Sequence, residues 1–386
     1  MQIRYHHAIG EIPAAQWDAL FDTGYPFTRH AFLAALEDSG SVTAETGWEP
    51  EHLVLYDDAG APCAAAPHYR KHHSYGEFVF DFQWADAAHR IGCSYYPKGV
   101  SAIPFTPSGG PRLGARDAAS KTQLAQALHQ TGAQRGLSSQ HILFAQAEDA
   151  SALGEAGFLL REDVQFHFRN RGYANFDDYL AALSSAKRKK IRRERRRVQE
   201  EAGVRFRVAR GDALDDAAWA RIYALYAHTY HVRGQSPYLR EGFWQQYGRA
   251  AGTPVRVILG ERDAEIVACA LCVQGADTLY GRHWGCSEEI HSLHFETCYY
   301  QGIAYCIDQG LARFDAGTQG GHKLMRGFEP VLTYSLHWLA EPRLHEAVAD
   351  FLQRERAVIE SGRERLAAEH SAYRQPESEA AGANAR

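Results

Sequence analysis

The sequence lacks a paired cysteine framework, a long apolar run and any marked excess of one charge. Its 7 cysteines are Cys63, Cys93, Cys269, Cys272, Cys286, Cys298 and Cys306, an odd number lying mostly in apolar stretches. That pattern reads as reduced, packed thiols in a cytoplasmic protein. The single CxxC, Cys269 to Cys272, falls in a strand-like run, where residues three apart face opposite sides. No second pair accompanies it, and the histidines His6-His7, His72-His73, His291 and His294 match no ligand signature, so no metal site is predicted. No stretch approaches the roughly 18 apolar residues of a membrane helix, and the segment from Met1 has no apolar core of a secretory signal. Lys and Arg total 42 against 47 Asp and Glu, a net charge of -5. As a whole this is not the composition of a nucleic-acid-binding protein. No G-x-S-x-G elbow is present, although a Ser-His-Asp or Cys-His triad assembled from distant residues stays open.

What is present suits a folded α/β protein. With 386 residues, 45% hydrophobic and 23% charged, the chain is long enough for two or three domains with full cores. Two hairpins stand out: Leu53 to Ala66 around Asp57-Asp58-Ala59-Gly60, and Val257 to Ala270 around Glu261-Arg262-Asp263-Ala264. Each is preceded by helical segments and followed by a strand expected to carry a Trp (Trp84, Trp284), then by a helix and another strand. The predicted fold is mixed α/β, two modules each with a central sheet flanked by helices. Residues 1–168 form the first and 169–342 the second. A basic helix is expected at 184–201 within a helical stretch from Phe176, a C-terminal helix at 343–372, and a disordered tail at 373–386. Cys63 to Tyr69 and Phe78 to Phe82 read as strands.

Several motifs carry a resemblance. They are His72-His-Ser-Tyr-Gly-Glu-Phe-Val-Phe-Asp-Phe-Gln-Trp-Ala-Asp86, Tyr95-Tyr-Pro-Lys98, Pro104-Phe-Thr-Pro107, Leu279-Tyr-Gly-Arg-His-Trp-Gly285, His294-Phe-Glu-Thr-Cys-Tyr-Tyr-Gln301 and Ala316-Gly-Thr-Gln-Gly-Gly-His-Lys323 with Arg326-Gly-Phe328. Together they resemble the FemAB-like group of bacterial N-acyltransferases, over about residues 20 to 360. The resemblance implies two GNAT-like modules and N-acyl transfer from an activated donor, acyl-CoA or aminoacyl-tRNA, to a small-molecule or precursor amine. Neither donor is implied to be a tightly bound cofactor. Fem-type relatives transfer amino acids from charged tRNA onto cell-wall precursors. In those relatives a lysine followed by an aromatic-Gly element lies near the acyl-ester carbonyl, and Lys323 is the matching position, with Gly-Phe in reversed order here.

One departure concerns the donor. GNAT enzymes cradle pyrophosphate on an Arg/Gln-x-x-Gly-x-Gly/Ala loop, but Trp284 to His294 is acidic and lacks that spacing. Ser108-Gly-Gly-Pro-Arg-Leu-Gly114 offers an alternative cofactor cradle through Gly109, Gly110 and Gly114, with Arg112 assisting; the competing reading is a surface turn.

The reacting centre is expected at Gly317 to Phe328, beside Tyr280, Arg282 and Trp284. Lys323 is the oxyanion donor, Glu296 and His294 are candidate bases, and Tyr280 joins them as a catalytic candidate. His322, Arg326, Phe328, Arg282, Trp284 and Trp84 are expected to contact substrate. Alternatively, Lys323 and Arg326 pair with Glu296, Asp315 or Glu329 as structural bridges, and Glu296 merely complements its helix N-terminus. Lys187 to Arg197 holds nine bases and one acid, a local charge of +8 that leaves -13 for the rest. Leu180, Leu183, Ile191 and Val198 form its apolar stripe. Lys187, Arg188 and their neighbours read either as a solvated face or as a clamp for tRNA or another phosphate-bearing ligand. The alternative function is a non-catalytic GNAT-fold protein holding RNA or anionic lipid on this helix.

Overall fold

The computed structural model describes residues 1–21, 24–318, 320–369 and 371–374. In the first half the strands are β1 (Gln2–His6), β2 (Glu49–Pro50), β3 (His52–Tyr56), β4 (Pro62–Ala66), β5 (Tyr69–Lys71), β6 (Lys98–Ser101), β7 (Gly114–Ala115), β8 (Ser139–Ala145) and β9 (Leu159–Arg169). In the second they are β10 (Arg205–Arg210), β11 (Val255–Arg262), β12 (Glu265–Gln274), β13 (Thr278–Cys286), β14 (Arg313–Asp315) and β15 (Phe328–Leu339). Helices flank them, several started by side-chain caps. Asp117, Asn175 and Asp215 each accept a backbone N–H from the first turn of the helix that follows.

Both hairpins form, β3 with β4 and β11 with β12, but in different sheets. A small sheet has the order β1-β3-β4-β7, and an eleven-stranded sheet runs β10-β11-β12-β13-β14-β9-β15-β8-β6-β5-β2. The expected single strand from Cys63 to Tyr69 is therefore two. Pro67 has no N–H to give a ladder, and the chain passes from one sheet to the other there.

The halves exchange their last strands. β9 is hydrogen-bonded between β14 and β15, and β15 lies between β9 and β8. Aromatic packing also joins the halves: Trp17, Phe27 and Leu33 share one core cluster with Trp219, Tyr226 and Tyr280. Burying side chains of this size dominates the apolar driving force.

Three further expectations are corrected. Phe78 to Phe82 is not a strand: Phe78 has φ 61, and Phe82–Arg90 is a helix, so Trp84 is helical. The helical stretch from Phe176 is interrupted. Phe176–Ala182 ends at extended Leu183, and Ser185–Arg196 continues into a wider turn at Arg197–Glu201. The break exists because Leu183 pairs with Tyr373 and Ser184 N–H reaches Ala372 O. The same contacts order Tyr373, placed above in a disordered tail; residues 375–386 of that tail lie outside the described residues. The C-terminal helix runs Pro342–Glu369. No helix among the described residues is long and apolar enough to cross a membrane.

Candidate active site

β13 and β14 pair in parallel only over Thr278–Tyr280 and Arg313–Asp315. Beyond that the register of β13 shifts against β12 at Arg282, and the strands part. The glycine loop after β14 sits at this opening, with Gly317 beside the Gly281 carbonyl. Gly317, Gly320 and Gly327 take φ of 85, 114 and 75, backbone that residues with a Cβ avoid, so the turn depends on glycine.

Lys323 is carried into the opening by the short helical turn Gly321–Arg326 and is 1% exposed. Its ammonium donates to the Gly317 carbonyl and lies 6.0 Å from the Tyr299 ring centroid. It forms no ion pair among the described residues. Burial pulls its pKa down to about 8, against the weaker opposing pull of Asp315. Asp315 is buried on β14. Its Oδ1 accepts the Gly317 N–H at 2.9 Å and lies 3.6 Å from His167 Nε2, while Oδ2 is buried without a partner among the described residues. His167 on β9 is held toward its neutral form by burial, opposed by Asp315. Gln165, two residues before it on the same face, donates to the Pro107 carbonyl at 3.1 Å and presents Oε1 to His167 Nε2 at 3.4 Å. Arg282 donates to the Phe105 carbonyl at 2.6 Å, and Tyr280 packs edge-on against Tyr25 and Phe27.

An aromatic wall stands on the other side of the loop. His294 lies edge-on to Trp284 at 4.7 Å and to Tyr299 at 5.3 Å, and His322 Nε2 is 2.9 Å from Tyr299 Oη. Burial drives the His294 pKa down to about 4, so its imidazole is neutral at physiological pH. Two cavities flank Gln165 and His167. One of about 220 Å³ is lined by Gln165, Thr318 and Ser335, and one of about 660 Å³ by His167, Tyr280, Arg313 and the Gly109-Gly110 backbone.

The structure thus gathers Lys323, His322, His294, Trp284, Tyr280 and Arg282, and adds Asp315, His167 and Gln165. Other expected site residues are placed elsewhere. Glu296 Oε1 accepts from Arg195 at 3.2 Å and from Gln199 and Gln301 at 2.7 Å, which ties the basic helix down, while Oε2 is buried without a partner among the described residues. Arg326 is 2% exposed and spends four of its five N–H donors on the protein. Nε meets Tyr300 Oη, Nη1 the His322 carbonyl, and Nη2 both Glu194 oxygens at 3.0 Å. Of the structural bridges considered above, Glu329 pairs with Arg171 and not with either loop cation. Phe328 is buried core beside Phe168 and Phe314. Trp84 packs on His337, not on the loop.

The glycine cradle in the first half is filled by the protein itself. The Asp149 carboxylate takes the Arg112 and Leu113 N–H groups at 2.6 and 3.0 Å, and the Arg112 guanidinium is spent on the carbonyls of Leu143, Ser108 and Pro111 and on Tyr25 Oη. A Cβ on Gly110 would meet Tyr25 at 2.4 Å and one on Gly114 would meet Phe21 at 2.6 Å, so both glycines serve packing. Gly109 is exposed and uncrowded. Leu180, Leu183, Ile191 and Val198 are all buried, but the break at Leu183 leaves only Ile191 and Val198 on the basic helix and its continuation. Lys187 and Arg188 are half-buried and make no ion pair among the described residues. Lys189, Arg192, Arg193 and Arg196 line an open groove of about 570 Å³.

A sheet shared by two similar halves, splayed around a buried lysine on a glycine loop, defines a two-module α/β protein with its candidate centre at the strand opening. The chain belongs to the FemAB-like family, described as peptidoglycan biosynthesis/recognition, which it matches over residues 8–375. The crystal structure of FemX covers 90% of this chain and 100% of its own, at 12% identity and TM-score 0.53. The C-terminal DUF2156 domain of an Agrobacterium fabrum protein named for lysylphosphatidylglycerol synthesis covers 91% and 98%, at 8% identity and TM-score 0.51. A conserved Bacteroides thetaiotaomicron protein of unknown function covers 87% and 99%, at 11% identity and TM-score 0.51. These likenesses concern the fold. No curated protein sequence matches the chain.

Proposed function

We propose that the chain is an N-acyltransferase that moves an acyl or aminoacyl group from an activated donor, acyl-CoA or aminoacyl-tRNA, to an amine. The observation that carries this reading is the Lys323 ammonium, buried at the strand opening with one backbone carbonyl as its hydrogen-bond partner among the described residues. Attack by an amine on an ester or thioester builds negative charge on the acyl oxygen, and a preorganised cation in a dry site stabilises it. In this reading the acyl oxygen replaces the Gly317 carbonyl on Lys323 Nζ. The attacking amine must shed a proton, and His167, oriented by Asp315 and Gln165, is placed to take it. His294, neutral and free of side-chain hydrogen bonds among the described residues, packs with Trp284 and Tyr299 as the wall for the acyl group. The basic groove takes phosphates of the donor or acceptor, and the family's description makes amines of cell-wall precursors the first acceptors to try. The test is transfer of a radiolabelled acyl group from acyl-CoA, or of an amino acid from charged tRNA, onto an acceptor panel that includes muropeptide precursors. Label in an amide product supports the proposal. Consumption of neither donor, with RNA binding that weakens steeply with salt, favours a binding protein.

A further inference from the structure

A second polar assembly lies where β15 joins the strands of the first half, and it opens on the smaller cavity. Lys98, fully buried, donates to Ser74 Oγ at 2.8 Å, Glu77 Oε2 at 2.9 Å and Asp81 Oδ2 at 2.5 Å. Tyr95 Oη also meets Asp81 Oδ2, at 2.7 Å. Burial works to raise Asp81, but the Lys98 ammonium together with His141 and the Ser74 hydroxyl outweighs it and holds the carboxyl down at about 2. An ionised carboxylate only accepts, so Tyr95 gives its proton to Asp81 and turns lone pairs toward His141 Nε2, 3.4 Å away. Ser139 Oγ lies 2.8 Å from the same nitrogen and can accept as well. His141 therefore carries its proton on Nε2. Its bare Nδ1 faces His337 Nδ1 at 2.7 Å, which puts a proton on that atom and leaves His337 Nε2 as a lone pair. Ser335 Oγ is 2.9 Å from Nε2. The terminal carboxylate thus sets the direction of the whole chain, which runs as donors from Ser335 to Asp81.

Ser335 lines the cavity of about 220 Å³, and Phe78, Phe80 and Phe144 supply apolar wall. Phe78 and Phe144 hold φ of 61 and 55, left-handed backbone that a bulky residue adopts only when its surroundings force it, and such strain gathers at ligand sites. The β8–β15 register shifts between Tyr334 and Ser335, at the serine itself. A hydroxyl on an imidazole whose other nitrogen is fixed by a further group is the arrangement of an activated nucleophile.

We propose that Ser335 is a nucleophile that accepts a small, apolar acyl group from an ester or thioester in this cavity, with His337 as its base. Ser335 Oγ bonds to the acyl carbon as its proton passes to His337 Nε2. The ester C–O or thioester C–S bond breaks, and the proton leaves with the alkoxide or thiolate. The products are Oγ-acylated Ser335 and a free alcohol or thiol. The imidazolium formed in between is steadied through His141 and Tyr95 toward Asp81. The step does not use Lys323, although its cavity reaches Gln165 and Thr318 beside that centre.

The full chain is incubated with p-nitrophenyl acetate and, separately, with an alkyl fluorophosphonate, then read by intact and peptide mass spectrometry. One adduct per chain is expected, on Ser335. Ser335→Ala is expected to lose it with an unchanged melting temperature, and His337→Gln to slow labelling by roughly 10²–10⁴-fold. Should His337→Gln fail to fold, Ser335→Ala, which removes one oxygen, decides alone. No adduct from either reagent under conditions that label a serine esterase, or an adduct that survives Ser335→Ala, overturns the proposal.

Discussion

Lys98 in the first half and Lys323 in the second are both buried near an aspartate, and their surroundings push them in opposite directions. Lys98 has Ser74, Glu77 and Asp81 on its ammonium, and although burial opposes it, the two carboxylates raise its pKa. Among the described residues Lys323 has one carbonyl and an aspartate acting only through space, and burial brings it down to about 8. A buried cation with its donors filled is a structural tie. One with donors to spare keeps electrostatic capacity for a charge that develops later. The same distinction separates Arg326, tied by Glu194, Tyr300 and a carbonyl, from Lys323 three residues earlier.

The comparison breaks most visibly at Lys98. Lys98→Met leaves the Glu77 and Asp81 carboxylates buried without their main partner, and removing one member of a buried ion pair costs about 3–5 kcal/mol. Urea unfolding should show that loss, and a near-normal midpoint would erase the contrast between the two lysines. At Lys323 the effect should fall on rate. Lys323→Ala should lower transfer by roughly 10²–10³ while its melting temperature stays close to that of the parent. Normal turnover, or failure to fold, would move Lys323 into the class of Lys98.

Acidity sharpens the contrast further. Lys323 titrates near 8 in the fold against an ordinary 10.5. Between those values the unfolded chain binds more protons, so this group adds stability as pH rises from about 8 to 10.5, and nothing changes below. The rate should move the other way, declining above about pH 8 as the ammonium is lost. A transfer rate that rises through that range would instead make Lys323 a base. The smallest effects belong to the glycines. Gly114→Ala should cost about 1–3 kcal/mol through its clash with Phe21. Gly109→Ala, with no atom nearby, should stay within about 0.5 kcal/mol; thermal melts of both variants test this.

Much of this architecture was legible in the residues. The Asp57–Gly60 and Glu261–Ala264 turns marked both hairpins, the apolar stripe of the basic helix is buried, and the glycine run before Lys323 marked a loop of unusual backbone. The illegible parts depend on partners far along the chain. His167 and Gln165 look like ordinary polar positions of a pleated strand until β14 is laid beside β9. The His141–His337 contact spans 196 residues. Asp149 reaches back 37 residues to fill the Arg112 amide, which no reading of the glycine loop alone reveals. Phe78-Val-Phe-Asp-Phe misled because its alternation mimics a strand, whereas the chain turns at Phe78 and Asp81 is drawn to Lys98.

The exchanged strands also set a schedule for synthesis. β8 and β9 are complete by residue 169, yet the strand that belongs between them begins at Phe328. At about 5–20 residues per second, the ribosome leaves that slot open for roughly 10–30 s, with one edge of β8 and, until β14 is made, both edges of β9 unpaired. The first half is therefore exposed to wrong edge partners until the second is nearly made, and a ribosome stall within residues 170–327 prolongs that interval second for second.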